Sequence, residues 1–130
     1  MFESVPNISE GRDLSVIDAC VAAVELAGAR VLHRTSDAVH NRSVLTIAGE
    51  YEALRDAAIA LAAVTVERID LRAHSGVHPR IGALDVLPFV PLRNAAMADA
   101  VRLAREVAVA IWERLRVPSF LYGEAATTQL

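Results

Sequence analysis

Apolar residues recur along this chain in two alternating rhythms, and the order of that alternation constrains the fold more than any other feature. Phe2 to Pro6 reads as a short extended entry. Asp13 is placed to cap a helix from Leu14 to Ala27, where Leu14, Ile17, Val21 and Val24 fall at spacings of three and four before Gly28 stops it. Ala29 to Thr35 and Asn41 to Ala48 read as strands, the second closing at Gly49, joined by a turn carrying Ser36, Asp37 and Asn41. Tyr51 to Arg68 has helical character with Ala-rich packing positions. Gly82 to Pro91 is a strand whose two prolines fit an edge or a bulge. Asn94 can cap a helix from about Ala95 to Arg114, with Val101, Ala104, Ala108, Ile111 and Leu115 as its apolar stripe. Val117 to Tyr122 is a last strand ending at Gly123.

That order, βαββαβ followed by αβ, predicts an α+β fold: a ferredoxin-like sandwich with an extra helix and strand, its helices on one face of a mixed sheet. At 130 residues the chain is one domain, with no repeat, linker or low-complexity tract to divide it. Val44 to Ala48 and Leu84 to Val90 are apolar at consecutive positions, as in strands covered on both faces. Helices on one face leave the other to a partner. Homo-oligomerisation or a separate polypeptide is therefore expected, and the hydrophobic fraction of 54%, above the usual 45–50% or so, agrees.

Composition removes several functions. All basic residues are arginine, so Schiff-base lysine chemistry and a Walker A phosphate loop are excluded. A net charge of −3 without a basic stripe argues against nucleic acid. The apolar run Ala57 to Val66 is about half of a bilayer span, so no membrane is expected. One cysteine excludes an internal disulfide framework and fits a reducing cytoplasm, and the start MFESVPNISEGR is not a secretory signal.

The densest reactive stretch is Ala73 to Gly82. His74 and His78 have the spacing that places two metal ligands on one helical face, but Gly76, Pro79 and Gly82 oppose a helix there, and no metal is expected. His78 is better suited to proton transfer. The proline after it favours extended backbone and removes one N–H. Arg80, two residues on, lies on the same side of an extended segment, where its charge favours the neutral imidazole a general base needs. Arg80 also suits a carboxylate through its planar fork. Further polar groups fall at strand ends: Asn7, Ser9, Glu10 and Gly11; His40, Asn41 and Arg42; Tyr122, Gly123 and Glu124. Cys20, Trp112 and Phe120 read as packing residues.

Four runs in order, Val5-Pro6-Asn7-Ile8-Ser9-Glu10-Gly11, Asp37-x-x-His40-Asn41-Arg42-Ser43, His74-x-Gly76-x-His78-Pro79-Arg80-Ile81-Gly82-Ala83-Leu84-Asp85-Val86 and Leu121-Tyr122-Gly123-Glu124-Ala125-Ala126, resemble the N-terminal subdomain of glutamate formiminotransferase. The resemblance spans nearly the whole chain and implies a transferase moving a formimino group between N-formimino-L-glutamate and tetrahydrofolate in histidine breakdown, with tetrahydrofolate as co-substrate. It implies two ferredoxin-like subdomains with facing sheets and substrates in the cleft between them. His78 falls on the family's catalytic histidine. Arg42 and Arg80 are expected to pair with substrate carboxylates, and Asn7 and Asn41 to orient the amidine. Ser75 and Val77 stand where many relatives carry charge. On this resemblance, the residues up to Gln129-Leu130 are expected to stop short of the rest of the family's first subdomain and of all of its second. The expected partner is thus a second copy or a separate chain supplying the other subdomain, and the alternative is a non-catalytic relative serving as a folate-binding or assembly module.

Overall fold

A computed structural model describes residues 1–68, 84–86, 89–92 and 95–115. In chain order these form β1 (Phe2–Ser4), β2 (Asn7–Ile8), α1 (Leu14–Leu26), β3 (Arg30–Asp37), β4 (Arg42–Gly49), α2 (Tyr51–Arg68), β5 (Leu84–Val86), β6 (Phe89–Pro91) and α3 (Met97–Leu115). The expected cap Asn94 and the expected strand Val117 to Tyr122 lie outside the described residues.

The architecture is α+β in the ferredoxin-like order. β4 is central, flanked on one side by β3 and on the other by β1 and β2, which are followed outward by β6 and β5. Every pairing among the described strands is antiparallel, where a mixed sheet was expected. The reason is topological: β4, the second arm of the hairpin, and not β3, lies beside the first strand, so neighbours run in opposite directions.

The extended entry expected over Phe2 to Pro6 is paired only as far as Ser4, and a second short strand begins at Asn7. Pro6 has no N–H for the ladder, though its carbonyl still accepts from Leu45 N–H at 3.1 Å. Of the strand expected over Gly82 to Pro91, the described residues include β5, Leu84–Val86, and β6, Phe89–Pro91. Ser4 pairs with Phe89 and Asn7 with Val86.

Local chemistry sets the helix ends. Asp13 caps α1 as expected, its carboxylate accepting from Ser15 N–H at 3.0 Å. Gly28 stops it with φ +103°, a conformation open to glycine, while its N–H reaches Glu25 C=O and Ala29 N–H reaches Val24 C=O. The buried face of α1 is Val16, Ile17, Cys20 and Val24, so the stripe is rotated from the expected one and Leu14 is exposed. In α3 the buried set is Ala100, Leu103, Val107, Ala108 and Ile111, again displaced from the expected stripe, and Trp112 is 48% exposed although it was expected to pack. In both helices the apolar arc is wider than the face in contact, so residues on its margin read as core in the sequence but stand outside it.

The core lies between the helices and one face of the sheet. Leu45 and Ile47 from β4, Ile8 from β2 and Phe2 from β1 meet Ile17, Leu54, Leu61 and Leu103 from the helices. Ala57, Ala58 and Ala62 let α2 sit close to its neighbours. On the opposite face the strand register aligns Arg30, Ala48, Glu3 and Val90 in one row and Thr35, Val44 and Asn7 in another. That face is mixed, not continuously apolar. β4 does run apolar at successive positions, but β3 contributes Arg30, His33, Thr35 and Asp37 to the same surface.

Candidate functional site

Of the five candidate residues, Asn7, Asn41 and Arg42 are described; His78 and Arg80, like Tyr122, Gly123 and Glu124, lie outside the described residues. The three described candidates gather at one end of the sheet. Asn7 pairs with Val44 and is half-buried, and Arg42, two residues before Val44, is exposed. Both belong to the face opposite Ile8, Ser43 and Leu45, which are buried against the helices. Asn7 and Arg42 are thus diagonal neighbours, within reach of one small ligand.

Asn41 takes another direction. It is 3% exposed, with φ +52°, a left-handed turn that asparagine tolerates better than other non-glycine residues. Its Oδ1 accepts from Gly11 N–H at 2.8 Å. The acceptor expected to face an amidine is therefore engaged with the backbone of the loop between β2 and α1.

That loop and the hairpin turn are fastened together over several residues. Ser43 Oγ donates to Glu10 C=O and shares a 2.8 Å hydrogen bond with Ser36 Oγ. Arg12 donates from Nε to Ala38 C=O at 2.8 Å. A Cβ on Gly11 would come within 2.3 Å of Asp37 O, 2.5 Å of Arg42 N and 2.6 Å of Arg42 O, so only glycine fits. Glu10, 7% exposed, turns its Oε2 back to accept from the N–H groups of Arg12 (3.2 Å) and Asp13 (3.1 Å). The sequence marked these residues as turn formers. Their long-range partnership, across about thirty positions, has no short-range signal.

At the outer turn, Asp37 Oδ2 meets His40 Nδ1 at 2.6 Å, and its Oδ1 accepts from Val39 N–H at 2.9 Å. The His40 side-chain bond, then the backbone N–H groups, hold the Asp37 carboxyl below its ordinary range. Asp37 and Arg42 also face each other across the last rung of the hairpin. The result is a charged, hydrogen-bonding rim.

Chain direction adds a constraint. β5 begins with Leu84 paired to Ile8, so it enters the sheet at the end formed by the loop after β2 and the β3–β4 turn. Among the described residues, no group of three or more His, Cys, Asp or Glu is placed to hold a metal ion, and no helix is long and apolar enough to cross a membrane.

Residues 1–130 match the family described as formiminotransferase domain, N-terminal subdomain. A glutamate formimidoyltransferase of Streptococcus pyogenes serotype M1 is 43% identical over 128 residues, covering 98% of this chain and 43% of that protein. One of the same name from Thermoplasma acidophilum is 43% identical over 129 residues, covering 97% and 42%. A formimidoyltransferase-cyclodeaminase of Dictyostelium discoideum is 43% identical over 128 residues, covering 98% of this chain and 24% of its own length. The chain spans less than half the length of these relatives.

Proposed function

The chain belongs to the formiminotransferase N-terminal subdomain family, and from that membership we propose that it is the histidine-bearing half of a folate-dependent transferase. The reaction moves a formimino group between N-formimino-L-glutamate and tetrahydrofolate, a step of histidine degradation. The observation that carries the reading is the entry point of β5. Leu84, six residues after His78 in the sequence, stands beside Ile8 at the end bearing Asn7 and Arg42, which supports assigning His78 to the same site.

In this mechanism N5 of tetrahydrofolate attacks the formimino carbon and gives up its proton to the His78 imidazole. The bond from that carbon to the glutamate nitrogen then breaks, and the imidazolium returns the proton to the departing amine. One imidazole serves both steps, so the proton balance closes. Arg42 and Arg80 pair with carboxylates of formiminoglutamate or of the folate tail, Asn7 orients the amidine, and Asn41 sets the rim. No metal takes part. The setting is cytoplasmic, and the open sheet face is covered by a second copy or by the remaining subdomain.

The test is a transfer assay with formiminoglutamate and tetrahydrofolate on the protein carrying this segment and on its His78→Ala variant. The variant is expected to lose about 10²–10⁴-fold in rate, the usual worth of a positioned general base. Equal rates would remove His78 from the reaction. Transfer absent from both proteins, with folate still bound, would favour a binding or assembly module.

A further inference from the structure

We infer that Asn41 is a positioning residue that acts through Arg42, fixing where the Arg42 guanidinium stands on the open face. The inference rests on the reading of Arg42 as a carboxylate-binding residue. Its physical basis is the pattern of ties on either side of that arginine. Asn41 Oδ1 holds Gly11 N–H at 2.8 Å, and Ser43 Oγ holds Glu10 C=O. Arg42 sits between these two anchored residues, and its own N and O press against Gly11 so closely that no side chain fits there. Asn41 and Ser43 are 3% and 1% exposed, whereas the Arg42 side chain is on the solvent face. The two flanking side chains are buried and spent on the loop, and the middle one is presented outward from a backbone with no room to shift.

The left-handed backbone at Asn41 completes the device. It turns the chain out of the hairpin and into the first rung of β4 while leaving its amide aimed inward. Asparagine meets both demands, the positive φ and the acceptor. A residue meeting only one would let the start of β4 drift from the loop after β2. Arg42 would then lose the pre-set position that makes a planar guanidinium effective on a carboxylate.

The test separates the hydrogen bond from the backbone turn and both from simple structural support. Asn41→Gly keeps the positive φ and removes Oδ1; Asn41→Asp keeps both. In the full-length transferase, Asn41→Gly is expected to raise KM for formiminoglutamate by about 5–20-fold, the effect of one weakened charged contact, with kcat within about threefold, because a carboxylate remote from the reacting carbon is held alike in ground and transition states. Asn41→Asp should recover near-normal KM. On an Arg42→Ala background, Asn41→Gly should add less than about twofold, since coupled residues do not add. Ser43→Ala, which cuts the other tie, should repeat the rise in KM and serves if Asn41→Gly does not fold. Additive losses, or an Asn41→Asp variant as poor as Asn41→Gly, would overturn the inference while leaving Arg42 as a ligand. An Arg42→Ala enzyme with unchanged KM would instead remove the substrate role of Arg42, and the inference with it.

Discussion

At the scale of single residues, the tightest constraint among the described glycines is Gly11. With Asp37 O and Arg42 N and O already at 2.3–2.6 Å from where a Cβ would lie, all of them backbone atoms, a methyl group has no flexible neighbour to displace. Gly11→Ala is expected to destabilise the chain by about 2–4 kcal/mol, at or above the usual range for overpacking, measurable as a lower urea midpoint. A loss below about 0.5 kcal/mol, typical of an unconstrained surface site, would show that loop and hairpin can separate freely. Asp37 gives a pH dependence. Its carboxyl is held low in the folded chain, chiefly by the His40 side chain. Its ionisation therefore favours folding above the unfolded carboxyl value of about 3.9, and that contribution is lost as pH falls through the lower folded value. Asp37→Asn should flatten the fall in stability from about pH 4 downward, and acid titrations of equal slope in the two proteins would contradict it. Cys20 is fully buried, and burial pushes its thiol up to about 11. Thiol reagents at pH 8 should leave it unmodified in the native chain and label it on unfolding; rapid native labelling would place it nearer the surface.

At the scale of elements, α2 shows how small side chains set spacing. Ala57, Ala58 and Ala62 are 0–3% exposed, and Leu54 and Leu61 are fully enclosed. Leu61→Ala should cost about 2–5 kcal/mol and Ala58→Leu about 1–3 kcal/mol, both read by denaturant unfolding. If Ala58→Leu were neutral, α2 would not be closely packed. The elements were largely legible because periodicity and punctuation agreed: Asp13 and Gly28 bracket α1, and Tyr51–Arg68 is helical over the expected span. What periodicity could not give was rotation and continuity. Leu14 and Trp112 lie on the margins of apolar arcs whose buried portion is set by neighbouring elements. The break between Ser4 and Asn7 arises because Pro6 withholds a ladder donor in a stretch that otherwise reads as one strand.

At the scale of the whole molecule, what the sequence offers is position along the chain: Asn7, Asn41 and Arg42, polar residues at strand ends, lie at one end of the sheet, while His78 and Arg80 lie outside the described residues. That Asn41 turns inward depends on Gly11, thirty residues away, and no local pattern carries that contact. Among the described strands, central β4, paired with β3 on one side and with β1 and β2 on the other, should hold its amide protons longest in hydrogen exchange, together with the core of α2, while the side of β3 that no described strand pairs exchanges early. Equal protection of β3 and β4 would mean that the outer edge of β3 is covered in solution. The break between Ser4 and Asn7 has a mechanical corollary. Among the described strands β4 alone pairs with both β1 and β2, so the alignment of Asn7 with the rest of the sheet is inherited from that one strand, and whatever steadies β4 steadies the floor beneath a settling molecule.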